Sequence, residues 1–348
     1  MDDVVFSGYQ RDSYLVNAHV PRFGSGEAKG VIDESVRGMD LYILVDVCNY
    51  SLTYSMSGNT NHMSPDDHYQ NLKRIIAAVG GKAKRINVIM PFLYESRQHK
   101  RSSRESLDCA LALQELTHMG VDNIITFDAH DPRVQNAIPL SGFETVRPTY
   151  QFVKGLLDRY DDLIIDSDHM MAISPDEGAT ERAVYLANVL NLDMGMFYKR
   201  RDYTRVVNGR NPIVAHEFLG SSVEGKDVII LDDMISSGDS ILDVAKQLKS
   251  RNAKRIFAAA TFGLFTNGLD KFDEAYESGL IDGVLTTNLI YQTPELLSRP
   301  YYINCDMSKY VALMIDTLNH DGSISDILDP SERIQVCVEE YKKAHGQL

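Results

Sequence analysis

Eight short apolar runs of strand length recur along the chain, spaced so that a helix fits between most neighbours. They are LYILVDV (41–47), INVIM (86–90), NIITF (123–127), MMAIS (170–174), MGMFY (194–198), DVIIL (227–231), RIFAAAT (255–261) and GVLTT (283–287). Runs apolar at nearly every position belong to strands buried on both faces, and helical crossovers make consecutive strands parallel. SLDCALALQELTHMG (106–120) reads as one such helix, ending at Gly120 as its C′ residue. The class expected is α/β, a mainly parallel sheet flanked by helices.

A length of 348 residues implies about two domains. AKRI occurs at 83–86 and again at 253–256, each time entering a strand from a helix, which fits a duplicated α/β unit. We place the boundary at 147, near Pro148, giving units 1–147 and 148–300 and a helical segment 301–348. In that segment Asp329 and Glu332 have capping-box spacing, and Ile334, Cys337, Val338 and Tyr341 recur at helical intervals. An amphipathic helix docking on the body or on a neighbouring subunit is expected.

The net charge of −14 argues against nucleic acid and anionic membrane as partners. No apolar run approaches the ~20 residues of a membrane span. The start, MDDVVFSGYQ, lacks the basic and apolar regions of a secretory signal. Cys48, Cys109, Cys305 and Cys337 are scattered without metal-site spacing, so free thiols in a reducing cytoplasm are expected. Against this acidic background two basic clusters, Arg97–Arg104 and Lys199–Arg205, suit a small polyanion such as a nucleotide or sugar phosphate.

DVIILDDMISSGDS (227–240) concentrates the chemistry. Asp232 and Asp233 are expected at the carboxyl end of a strand, where open α/β sheets bind ligands. Ser236, Ser237, Gly238, Asp239 and Ser240 then form a small-residue turn into a helix whose free N–H groups suit an anion. Carboxylates accept from vicinal hydroxyls while the turn takes a phosphate, which together match a pentose 5-phosphate. An ordinary β–α loop with Asp239 or Ser240 as N-cap explains the same residues.

DDMISSGDS resembles the phosphoribosyl-diphosphate motif of type I phosphoribosyltransferases and ribose-phosphate pyrophosphokinases. DESVRG within 24–44, MPFLYESRQHKRSSRES (90–106), ITFDAHDPRVQNAIP (125–139), AISPDEGATERA (172–183), YKRRD (198–202) and DGSISDIL (321–328) resemble successive segments of the second group. The resemblance implies two duplicated phosphoribosyltransferase-like domains. It also implies transfer of the diphosphoryl group of ATP to the anomeric hydroxyl of ribose 5-phosphate, with Mg²⁺ as cofactor. By resemblance Lys199 and Arg201 are cations of a catalytic loop, and His130 and Asp176 lie at the metal. Arg97 and Gln98 contact the nucleotide with His130. Phe23 and Glu27 belong to an adenine loop donated by an adjacent subunit, which implies a homo-oligomer, dimer or hexamer, with shared active sites.

The chain departs from the family at Ser25, His99, Ser236, Asp239 and the residues after His130. Asp239 must point away from a bound phosphate to be compatible with it. A non-catalytic regulatory relative would be expected to lose the loop cations or His130, and both are kept. A phosphoribosyltransferase would leave the RQHK, SPDEG and KRRD matches unexplained, and a bare sugar-phosphate-binding module remains the fourth option.

Overall fold

The computed structural model describes residues 13–201 and 213–347, with side chains omitted at 199–201 and 213–216. Four strands, β1 (Asp40–Leu44), β2 (Arg85–Ile89), β3 (Asn123–Phe127) and β4 (Gly142–Val146), form a parallel sheet in that order. Helices α1 (Pro65–Val79) and α2 (Asp108–His118) supply crossovers, and α3 (Thr149–Arg159) leads from this sheet to the next. Ser64 and Asp67 close a reciprocal capping box at the start of α1.

The second sheet contains β5 (Met170–Ser174), β6 (Asp193–Arg201), β7 (Ile213–Leu219), β8 (Asp227–Ile235), β9 (Arg255–Gly263), β10 (Gly283–Thr287) and β11 (Tyr302–Cys305). Their order is β7-β6-β5-β8-β9-β10-β11, and only β7 runs antiparallel to its neighbour. The chain leaves β5 through α4 (Thr180–Leu190) toward β6 on one side and later returns as β8 on the other. The direction therefore reverses between β5 and β8, the place where such sheets open a crevice.

The AKRI echo marks a real structural repeat. Arg85 pairs with Asp40 at the start of the neighbouring strand, Nε to Oδ1 at 2.9 Å, and Arg255 pairs with Asp227 in the same way at 2.9 Å. In each sheet these residues are register partners. The Ile86 amide donates to Asp122 Oδ2 at 2.8 Å and the Ile256 amide to Asp282 Oδ2 at 2.9 Å. One carboxylate thus staples two strands at the amino edge of each sheet, and a second caps the next crossover.

Apolar clusters cover both faces of the second sheet, and a third lies between α1, α2 and the first. A fourth joins the halves: Ile89, Ile125, Phe127 and Val146 pack with Phe262, Leu289 and Ile290 and with Met307, Tyr310 and Met314. The helix Ser308–Asn319 thereby closes the open face of the first sheet. Residues 302–305, expected within a helical segment, instead extend the second sheet, because YINC lies beside β10 and buries alternate side chains. The terminal helix Ser331–Ala344 buries Ile334, Val338 and Tyr341 against the second half. Its expected capping box does not form; Asp329 Oδ1 accepts from the Ser331 amide at 3.1 Å and hydroxyl at 2.6 Å. All four cysteines are free thiols, Cys109 and Cys305 buried and Cys48 and Cys337 half-buried. Among the described residues no helix is long and apolar enough to cross a membrane.

Candidate active site

The strand holding the paired aspartates is longer than its apolar run suggests: β8 continues to Ile235, so Asp232 and Asp233 lie within it. They stand near its carboxyl end, as expected, and the ladders show how the strand reaches so far. Pairing with β5 stops at Ile230–Ile173, whereas pairing with β9 runs on to Ile235–Gly263. The last residues of β8 overhang the β5 edge at the reversal point, which lets a strand carry two carboxylates into the crevice.

Asp233 is buried and accepts a 2.7 Å hydrogen bond at Oδ2 from Nδ1–H of His130, which stands just beyond β3 in the other half. That bond raises the proton affinity of His130 despite its partial burial. Burial works to raise Asp233, but His130 and the Arg182 guanidinium overcome it and hold the carboxyl below its ordinary value. Asp232, whose Oδ1 accepts from the Asp233 amide at 2.8 Å, is pushed the other way by burial and by the charges of Asp233 and Asp176.

Asp176 follows β5, as expected, and spends one oxygen on the start of α4. Its Oδ1 accepts from the amides of Gly178 at 2.9 Å and Ala179 at 3.3 Å. The carboxylates flanking His130 are each paired within the chain. Asp128 is tied to Arg182 and Thr261, and Asp131 to Arg133. Both arginine pairings satisfy the carboxylates inside the protein.

Ser236 and Ser237 are half-buried in the turn after β8, and Ser240 is exposed. Gly238, at φ +83°, takes the N-cap place of α5 (Asp239–Lys249), so neither Asp239 nor Ser240 caps it. A methyl at Gly238 would lie 2.3 Å from Phe272 Cε2. Gly238→Ala is therefore expected to cost about 2 kcal/mol of stability, checked by chemical denaturation. Asp239 is held on both oxygens: Lys271 Nζ donates to its Oδ1 at 2.5 Å and Ser237 Oγ to its Oδ2 at 3.0 Å. Together these bonds lower the Asp239 pKa.

Arg97 is exposed, and its charge reaches His130, whose proton affinity it works to lower. Gln98 is half-buried and donates from Nε2 to the Ser106 carbonyl at 2.9 Å. His99 lies beside His130 with ring centroids 5.3 Å apart, and its Nε2 is 3.5 Å from Asp131. Two departures from the family pattern, His99 and Asp131, thus face each other. Phe23 and Glu27 stand on a turn held to the hairpin Thr53–His62 through the Ser57 amide and Gly24 carbonyl at 2.9 Å. Phe23 remains 53% exposed. The structure brings His130 to the aspartate pair but leaves the Phe23 turn on its own surface. The side chains of Lys199 and Arg201 lie outside the described residues; their backbone belongs to β6.

Sequence reasoning gave no role to Arg182 or Thr261, although Arg182 lies in a segment singled out for its resemblance and Thr261 ends one of the apolar runs. Nothing in either segment signals that these side chains cross to the other half.

Comparison with known proteins gives two domain matches. Residues 9–120 match the N-terminal domain of ribose phosphate pyrophosphokinase, and residues 147–286 the phosphoribosyl transferase domain. The chain is 29% identical over 315 residues to the ribose-phosphate pyrophosphokinase of Vibrio parahaemolyticus, covering 89% of this chain and 90% of that one. It is 31% identical over 272 residues to that of Mycoplasma genitalium, covering 78% and 74%. The crystal structure of phosphoribosylpyrophosphate synthetase from Mycobacterium smegmatis has the same fold. It superposes with a TM-score of 0.73 at 24% identity, over 89% of this chain and 93% of that one. The two domain matches fall one on each half, and the chain belongs to the ribose-phosphate pyrophosphokinase family.

Proposed function

We propose that the chain is a ribose-phosphate diphosphokinase, transferring the diphosphoryl group of ATP to the anomeric hydroxyl of ribose 5-phosphate and releasing AMP. The observation that carries this reading is the 2.7 Å His130–Asp233 contact, which joins a nucleotide-side histidine of one half to a sugar-side carboxylate of the other. Phosphoryl transfer needs alignment and charge neutralisation more than covalent help, and a contact between the two halves supports a site shared by two substrates.

In this reading Asp232 and Asp233 accept from ribose hydroxyls, and Ser236, Ser237, Gly238 and Ser240 enclose the 5-phosphate at the amino end of α5. Asp239 shapes the turn from outside through Lys271. Arg97, Gln98 and His130 take the nucleotide, with Phe23 and Glu27 reaching a neighbouring subunit's site. The exposure of Phe23 supports that assignment and, with it, a homo-oligomer. Lys199 and Arg201 are assigned as the cations that meet the transferred group. The units 1–147 and 148–300 then carry the nucleotide and the sugar phosphate respectively, in a cytoplasmic enzyme.

Mg²⁺ fits the residues present. Burial and the charges of Asp233 and Asp176 raise Asp232, a crowding of carboxylates that a divalent cation relieves. Among the described residues no three His, Cys, Asp or Glu side chains form a closed metal cage. Magnesium would keep waters and phosphate oxygens in much of its shell. Asp176 and His130 would hold it, and when bound it offsets charge on the phosphates. Donation of Nδ1–H to Asp233 leaves His130 Nε2 for the metal-nucleotide side.

Incubation of the purified protein with ATP, Mg²⁺ and ribose 5-phosphate should yield AMP, with Lys199→Ala as the inactive control. No AMP above that control from an intact oligomer would overturn the assignment. A more local prediction concerns Lys271→Ala, which frees the Asp239 carboxylate beside the phosphate turn. The KM for ribose 5-phosphate should rise about threefold at low salt and less at high salt. An unchanged KM would mean that Lys271 does not control where Asp239 points.

A further inference from the structure

Asp128 is buried and sits at φ +42°, a left-handed backbone that residues other than glycine adopt at some cost. Its carboxylate faces protein on both sides. Oδ1 accepts from Arg182 Nε at 2.7 Å and Oδ2 from Thr261 Oγ1 at 2.7 Å. The Arg182 guanidinium also donates from Nη2 to the carbonyls of Asp128 at 3.5 Å and Ala129 at 3.2 Å, and from Nη1 to Gly178 at 3.4 Å. On the other side the Asp128 amide donates to the Val146 carbonyl at 2.8 Å and the Ala129 amide to Thr145 Oγ1 at 3.0 Å. Every backbone donor and acceptor of residues 128 and 129 is thereby tied, and the next residue is His130.

Asp128 comes from the first half, Arg182 and Thr261 from the second. Cohesion between the halves does not require them, since Phe127, Val146, Phe262 and Ile290 already pack across the same boundary. Buried ion pairs contribute little net stability compared with apolar packing; what they add is orientation. We propose that Asp128, Arg182 and Thr261 are positioning residues, a clamp across the two halves that fixes the 128–130 backbone and so seats His130 against Asp233. This inference rests on the diphosphokinase reading of the site.

Thr261→Val keeps the shape and removes the donor to Asp128, whereas Thr261→Ser restores the hydroxyl. With the folded full-length oligomer, Thr261→Val should lower kcat for AMP formation about tenfold while both KM values stay within about twofold. Thr261→Ser should return kcat to within about twofold of wild type. A lost hydroxyl that merely loosened the fold would lower thermal stability without this split or this rescue. The proposal is overturned if Thr261→Val retains wild-type kcat, or if Thr261→Ser is as slow as Thr261→Val. Should the wild-type protein itself form no AMP, the diphosphokinase reading falls and the clamp is judged by crystallography of Thr261→Val. An His130 Nδ1–Asp233 Oδ2 contact lengthened beyond hydrogen-bond reach supports it, and one unchanged at 2.7 Å refutes it.

Discussion

Asp233→Asn should slow AMP formation by about a thousandfold, a loss of the size seen when a charge-stabilising group is removed from an active site. The amide oxygen can still accept from His130, but the charge that raises the histidine's proton affinity and orients its ring is gone. The effect should fall on kcat, because both substrates keep most of their binding groups. Asp232→Asn provides the contrast. Asp232 bonds the Asp233 amide rather than His130, so its loss should raise the KM for ribose 5-phosphate more than it lowers kcat. Steady-state kinetics with each substrate varied in turn, with calorimetric titration of ATP, separates the two. If both variants raise only the KM for ribose 5-phosphate, the pair is a sugar grip and the link to His130 is without catalytic consequence.

The second large effect is on stability. Asp227 is 2% exposed and carries the bidentate contact from Arg255. Asp227→Ala strands a guanidinium at a largely enclosed position, and removal of one partner of such a pair costs about 3 kcal/mol. Arg255 retains the exposed Asp162, at 2.7 Å, and the faces of Tyr160 and Phe257, none of which replaces the buried carboxylate. The equivalent Asp40→Ala should cost less, because Arg85 is more open and also keeps Asp321. Denaturant unfolding at fixed protein concentration ranks the two. A loss at Asp227 no greater than that at Asp40 would show that enclosure does not set the value of this contact.

Much of the fold was legible because strand cores announce themselves. NIITF, MMAIS and GVLTT match their strands end to end. What escaped was set by partners distant in sequence. β8 runs four residues past its apolar run because β9 pairs Asp232, Met234 and Ile235 after β5 has ended, and hydropathy does not register a missing neighbour. GFETV and YINC are too short and mixed to stand out, yet each is a sheet edge. Asp239 could be flagged as odd, but Lys271, its answer, lies 32 residues away on another helix. Arg182 gave no local sign either, since its partner Asp128 is 54 residues distant.

The Arg255–Asp227 staple has a consequence at the opposite end of its strand. Successive side chains of a strand alternate between faces, so a slip of one residue exchanges them all. Asp227, Ile229, Leu231 and Asp233 share one face, and Ile229 and Leu231 pack into the same apolar cluster. Pinning Asp227 to Arg255 therefore decides, about 20 Å further along the strand, that Asp233 rather than Asp232 is presented to His130. The staple sets the parity of the active site.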